Sequence, residues 1–256
     1  MMNLVLSEKM PLRRRKESLQ TLSNKLHETA SGLETHFEIL GLTKNGWPSI
    51  RISGPDTEIY TEILKRDIGF AVTKIESLEP HSITKAFVEK IQQERNTIQL
   101  DIGFDPDEAI NVEYHASDLR SQLFDGQKIP FKAMVSRYCL NGGFPLEVRI
   151  SDNSLDQGAL SVVLSDSQVS SLTEWRDERF ERLILQGAFF HEVEKATKDL
   201  KLARDLADMA ELSLMTSLLT CKLGTQARGL VPKLGPLLRS ATFCVFQSSS
   251  LVNSAA

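Results

Sequence analysis

LDIGFDPDEAINVEYHASDLRSQLFDGQKIPFKAMVSRYCLNGGFPLEVRIS, residues 100–151, decides how this chain is organised. Leu100-Asp101-Ile102-Gly103 closes one strand in a glycine turn. Phe144-Pro145-Leu146-Glu147-Val148-Arg149-Ile150 is another strand, with Leu146, Val148 and Ile150 on one face and Glu147 and Arg149 on the other. Asp118-Leu119 and Leu123-Phe124-Asp125-Gly126 read as part of the same sheet and its connector, and residues 128–135 as a further strand. Phe104-Asp105-Pro106-Asp107 and Asn141-Gly142-Gly143 are joints rich in turn-forming residues. Residues 85–91 and 97–102 add two strands upstream. Short strands with turn signals between them predict a small β-barrel. Barrels of this size are mostly binding modules.

On either side the periodicity changes. Residues 2–6 form a short apolar strand. Leu19, Leu22, Leu26 and Leu33 recur at helical spacing behind Arg13-Arg14-Arg15-Lys16. Residues 37–42 and 49–53 alternate as strands about Asn45-Gly46, a pair that tolerates positive φ. Gly54-Pro55-Asp56 opens a second helix, with Ile59, Ile63 and Leu64 expected inside. Beyond the barrel, residues 160–164 open a further unit. Its helix carries Val169, Leu172 and Trp175, residues 182–185 form a strand, and residues 188–200 form a second helix. Residues 212–219 are an apolar run, Leu230 to Leu238 a shortened helix, and residues 242–246 a closing strand. The order approaches a ferredoxin-like βαββαβ unit, which the helix at 188–200 fits poorly. The fold class is therefore α+β. It comprises an N-terminal α/β module (1–76), a central β-barrel (77–154), a C-terminal ferredoxin-like module (155–247) and a polar tail (248–256).

Composition narrows the function classes. The 256 residues carry 41% hydrophobic and 25% charged residues, ordinary for a soluble globular chain. No apolar run approaches the ~20 residues that span a bilayer, so a cytoplasmic protein with no membrane partner is expected. Cys139, Cys221 and Cys244 are too few and too widely spaced for a disulfide framework or a zinc site, and each is expected to be a buried reduced thiol. The net charge is −4. Lys+Arg against Asp+Glu is ten to nine in residues 1–73, nine to twelve in 74–151 and eleven to thirteen in 152–256. No module is basic, so contact with nucleic acid has to be local.

The middle module resembles an S1-like barrel, a branch of the oligonucleotide-binding fold. The residues that carry this are Leu100-Asp101-Ile102-Gly103, the connector from Leu119 to Gly126, and the strand from Lys128. Most of the chain is similar to an archaeal family, domain of unknown function 2110. That likeness rests on Asn45-Gly46-Trp47, Asp101-Ile102-Gly103, Gln122-Leu123-Phe124-Asp125-Gly126, residues 144–150, Cys221-Lys222-Leu223-Gly224-Thr225 and Gly229-Leu230-Val231-Pro232-Lys233. It implies an archaeal cytosolic protein and no particular activity. RNA-binding S1 barrels carry exposed aromatic residues before the Asp-Ile-Gly turn, where this chain reads Gln92-Gln93-Glu94-Arg95-Asn96-Thr97-Ile98-Gln99. Stacking of a base is worth ~1–3 kcal/mol, so its absence subtracts from affinity.

Three clusters remain as binding candidates. Tyr114 and His115, read as lying in a loop, offer one stacking platform or simply pack on the barrel mouth. Lys222, Gly224, Arg228, Gly229 and Lys233 surround a turn whose backbone N–H groups can approach a phosphate at a helix start. The turn lacks the Lys and Ser/Thr of a P-loop, and its structural alternative is a strand-to-helix connection. Arg13, Arg14, Arg15 and Lys16 are the only basic run. They read as a solvated first turn or as a contact for RNA or an acidic partner; opposing the helix dipole by ~0.3–1 kcal/mol each gives a small push toward the second. Asp105, Asp107 and Glu108 read as a solvated acidic loop. No catalytic set, metal site or cofactor is expected. The expectation is a non-enzymatic accessory factor in RNA metabolism or translation, with structured RNA or a ribonucleoprotein as partner. A protein-interaction scaffold is the alternative, and an enzyme acting on a phosphorylated small molecule the second.

Overall fold

Five strands close a barrel at the centre of the computed structural model, which describes residues 2–11, 14–108, 110–151, 158–246 and 248. The polar bridge at 152–157 and all of the expected tail but Ser248 lie outside the described residues.

The N-terminal unit has the expected order: β1 (Met2–Val5), α1 (Arg15–Thr29), β2 (His36–Leu42), β3 (Pro48–Ser53) and α2 (Thr57–Asp67). Its sheet is antiparallel in the order β1-β3-β2. The apolar stripe of α1 buries Leu22 and Leu26 against Ile50 and Ile52. Gly46 turns the hairpin at φ +88, and a Cβ there would lie 2.6 Å from the Met10 carbonyl oxygen, so only glycine fits. Helix α2 is rotated from the expected face: Ile59 is exposed, while Tyr60 and Leu64 are buried. Tyr60 is drawn in because its hydroxyl can donate to the Leu26 carbonyl at 3.0 Å.

The barrel consists of β4 (Ile83–Gln92), β5 (Thr97–Asp101), β6 (Asn111–His115), β7 (Pro145–Ile150) and β8 (Ala159–Leu164), closed in the order β4-β5-β6-β8-β7. All pairs are antiparallel except β6 with β8. Counted within the barrel the order is 1-2-3-5-4, the connectivity of the oligonucleotide-binding fold. Three expectations are corrected here. Residues 128–135 are not a strand: Phe131, Met134 and Val135 form the buried face of α4 (Phe131–Arg137), which starts behind Pro130. Their i, i+3, i+4 spacing is helical, and the apparent alternation misled. Asp118, Leu119 and Leu123 belong to α3 (Ala116–Leu123), which buries Ala116, Leu119 and Leu123. Residues 159–164 complete the barrel instead of opening the next unit, with Leu160, Val162 and Leu164 in its core.

Helix α5 (Asp166–Asp177) then packs Leu172 against the barrel, its N-terminus capped by the Ser165 hydroxyl. The C-terminal unit begins one step later than expected: β9 (Arg182–Gln186), α6 (Phe190–Asp199), β10 (Leu206–Ser213), β11 (Thr216–Cys221), α7 (Val231–Leu234) and β12 (Thr242–Phe246). Its antiparallel sheet runs β10-β11-β9-β12, the ferredoxin-like arrangement. The helix that fitted poorly is its first crossover, and β10 is the strand that the apolar run at 212–219 only half revealed.

Both faces of this sheet are covered. Leu183, Leu185, Leu219 and Cys221 pack under α6 and α7. Ile184, Leu218 and Phe246 join the barrel core, where the Phe246 ring meets Tyr138 at 5.7 Å and Trp175 at 6.0 Å. Cys139 and Cys244 form a disulfide across this junction, 5.9 Å apart at Cα. The expectation of three reduced thiols is thus corrected for two of them. A separation of 105 residues left no local sign of the pairing. Cys221 is free and buried, and burial pushes its thiol up to about 11. The N-terminal core also takes in Phe189, Leu214 and Met215 from the C-terminal unit.

Candidate functional site

One end of the barrel gathers positive charge. The turn between β4 and β5 carries Arg95 and Asn96, the latter at φ +52. The Asn96 carbonyl accepts the Ala116 N–H at 2.9 Å, which ties this turn to the first residue of α3. Arg95, Asn96, His115, Ala116, Ser117 and Arg120 line a cleft of about 290 Å³ there. Among the described residues no carboxylate lines it. His115 is half-exposed, with Glu113 at 3.9 Å to one side. Arg120 also borders a second cleft of about 570 Å³, shared with Gly126, Lys128, Ile129 and Pro130. The Arg120 Nε is buried without a hydrogen-bond partner.

The outer face of β5 and β6 is polar and flat. Gln92 donates to Gln99 at 3.0 Å, and Gln99 to Asn111 at 3.3 Å, giving a row of side-chain amides across three strands. Toward the N-terminal unit this face deepens into a cleft of about 320 Å³ lined by Asn45, Asp101 and Asp105 among others. Asp101 holds that corner together: its carboxylate accepts from Lys9 Nζ at 2.5 Å, Trp47 Nε1 at 3.1 Å and the Gly103 N–H at 2.9 Å. Trp47 of Asn45-Gly46-Trp47 and Asp101 of Asp101-Ile102-Gly103 therefore meet in one junction.

The residues singled out from sequence are not brought together. Tyr114 is in β6, not a loop; it is fully buried, its hydroxyl donates to Gln122 at 3.1 Å, and burial raises its phenol well above the usual range. It is closed to a base. His115 is the member of that pair that reaches the surface. Arg13 lies outside the described residues. Arg14 is spent on structure, donating to both oxygens of Glu192 at 2.7 and 3.0 Å and lying 4.6 Å over the Phe189 ring. Arg15 and Lys16 are exposed. In the 222–233 turn, Lys222 donates to the Ala203 carbonyl at 3.1 Å and Lys233 lies 3.9 Å from Asp205. The Ala227 N–H donates to the Glu181 carboxylate at 2.7 Å, so a carboxylate of the protein already occupies that helix start. Gly224 stands at φ +88, and Gly229 and Arg228 are exposed beside it. Sequence reasoning passed over Arg95, Ser117, Arg120 and Lys128. Arg95 was in view, but that stretch was searched for aromatics. Arg120 was hidden in a helix misread as a connector.

A fourth cleft, of about 720 Å³, lies where the three units meet. Phe70 from the first, Ile83 and Lys85 from the barrel, Trp175 from α5, and Leu212 from β10 contribute to it. Among the described residues no helix is long and apolar enough to cross a membrane, and no group of three or more His, Cys, Asp or Glu is placed to hold a metal ion.

Residues 180–246 match the family model of the DUF2110 C-terminal domain. This bears out the likeness read from Cys221–Thr225 and Gly229–Lys233 and coincides with the β9–β12 unit. No curated protein matches the chain. Among solved structures, an uncharacterized protein of Methanocaldococcus jannaschii aligns over 35% of this chain and 96% of its own, with 12% identity and a TM-score of 0.23.

Proposed function

We propose that the protein is a non-enzymatic, RNA-associated accessory factor that contacts structured RNA or a ribonucleoprotein through its barrel. One observation supports this reading above the others: a closed barrel of oligonucleotide-binding connectivity whose strand 2–3 face is open, polar and bordered by arginine. Side-chain amides on that face suit hydroxyl and phosphate contacts, and the lack of an exposed aromatic there suits paired RNA over splayed bases. The ferredoxin-like sheet plays no part, because its outer face is buried on the barrel. On this reading the setting is the cytoplasm.

Filter binding of the full chain to a duplex RNA tests it. Binding is expected at low salt, and three phosphate contacts lower affinity about 40-fold between 50 and 200 mM salt. Absence of binding at low salt removes the reading. The cleft between the three units supports a second one, a protein-interaction scaffold, since Ile83 is 59% exposed there beside Trp175 and Leu212. A complex with a purified protein partner that survives nuclease and is lost in Ile83→Asp would favour it.

A further inference from the structure

We infer that the cleft formed by Arg95, His115, Ser117 and Arg120 is a phosphate-binding site. The inference needs no RNA: it rests on these side chains, and on the RNA reading only if the phosphate is carried by a nucleic acid.

Seven arginines of this protein pair with a carboxylate among the described residues. Arg14 reaches Glu192, Arg51 reaches Glu38, Arg176 reaches Asp177 and Arg182 reaches Glu178. Arg95 and Arg120 reach none among the described residues, although Glu94, Glu113 and Asp118 are close in sequence. The three acids do not line the cleft. Two unpaired guanidinium groups thus face one space, and one of them keeps a buried Nε with no acceptor. A guanidinium that meets no carboxylate of the protein keeps its charge available to an anion in the cleft. A planar guanidinium presents parallel N–H donors that match the oxygens of phosphate.

The rest of the cleft suits the same ligand. The Ser117 hydroxyl and a ring nitrogen of His115 add two further hydrogen-bonding groups. His115 stands at the N-cap of α3 without making a side-chain cap, so the positive end of the helix is left facing the cleft. The turn that carries Arg95 is held to α3 through Asn96 and Ala116, so the two stretches of backbone that carry the arginines are fixed beside each other. Lys128, exposed across the second cleft that Arg120 shares, extends the positive surface toward a neighbouring phosphate. A carboxylate would be satisfied by one arginine; two arginines on separate elements call for a tetrahedral anion with more oxygens.

The test uses the full chain with Arg95→Gln, Arg120→Gln and the double variant, with Arg239→Gln as an exposed control that does not line the cleft. Inorganic phosphate, read by calorimetry and by the thermal midpoint, is the first probe; acetate at matched ionic strength is its control. A duplex RNA is the second. The expected result is that phosphate binds and raises the midpoint of the parent while acetate does not, and that each arginine variant weakens phosphate about tenfold. RNA affinity then falls in parallel if the phosphate is that of a nucleic acid. If phosphate binds through these arginines and RNA does not bind, the ligand is a small phosphate compound, and the RNA reading fails while the site stands. If RNA binds equally well to parent and double variant, RNA does not use this cleft, the RNA reading survives elsewhere on the surface, and the site is decided by phosphate alone. No phosphate binding, or phosphate binding that the double variant retains, overturns the inference. Should Arg120→Gln unfold the protein, Arg95→Gln, on an exposed turn, carries the test alone.

Discussion

Gly103 shows how much one position can decide. It sits at φ +102 in the Asp-Ile-Gly turn, and a Cβ there would meet the Ala71 Cβ at 2.6 Å and the Trp47 ring at 3.4 Å. Backbone strain and overcrowding each cost about 1–3 kcal/mol, so Gly103→Ala is expected to lower stability by about 2–4 kcal/mol. The denaturant midpoint reads this directly, and an unchanged midpoint would show that the junction gives way. The glycine was legible as a turn. Its role in letting the barrel approach Trp47 was not, because the two residues are 56 positions apart. Asp101 repeats the lesson: it was legible only as the end of a strand before a turn, yet it is buried and binds three donors from two units.

Among elements, α1 and α6 are joined by Arg14 and Glu192. Burial acts to raise the Glu192 carboxyl, but the Arg14 guanidinium and the Phe189 N–H outweigh it and hold the group below the usual glutamate range. A depressed carboxyl stabilises the fold above its unfolded value, and that contribution is lost as pH falls through the folded value. The protein should therefore exceed Glu192→Gln by about 1 kcal/mol at neutral pH, with the gap closing below the ordinary glutamate range. Urea melts at several pH values would show it, and a constant gap would discount the pair. The basic run from which Arg14 comes was read as a binding element because like charges at a helix start are unfavourable; the fold resolves the misfit with an acid from the far end of the chain. The Cys139–Cys244 bond joins α4's exit to β12. Closing a loop of 105 residues is worth about 4–5 kcal/mol in the chain-entropy account. Cys139→Ser with Cys244→Ser should lower the melting point, and reductant should affect the parent alone; equal melting of both under oxidising conditions would argue against the bond.

For the whole molecule, the barrel is the hub on which two α+β units rest. The C-terminal unit turns Ile184, Leu218 and Phe246 toward it. A fragment of residues 180–246 is therefore expected to expose that apolar face, bind a hydrophobic dye and self-associate, where the full chain does not. A monomeric, dye-silent fragment would mean that the sheet covers itself. The sequence by itself determined the three-part organisation, the α+β class, the barrel at the centre and the ferredoxin-like plan at the end, because strand alternation, glycine turns and helical spacing are local signals. Only the tertiary structure decided which short apolar runs were strands. Residues 111–115, read as a loop, form a strand, and residues 131–137, read as a strand, form a helix, since segments this short hold too few repeats to fix a period. It alone decided where charge remains available. Among the cations conspicuous in sequence, Arg14 is neutralised by Glu192 and Lys233 lies beside Asp205, both from distant elements, while Arg95 and Arg120, unremarkable in the chain, line one cleft. Pairing over long separations is a property of the folded surface, and no spacing along the chain records it.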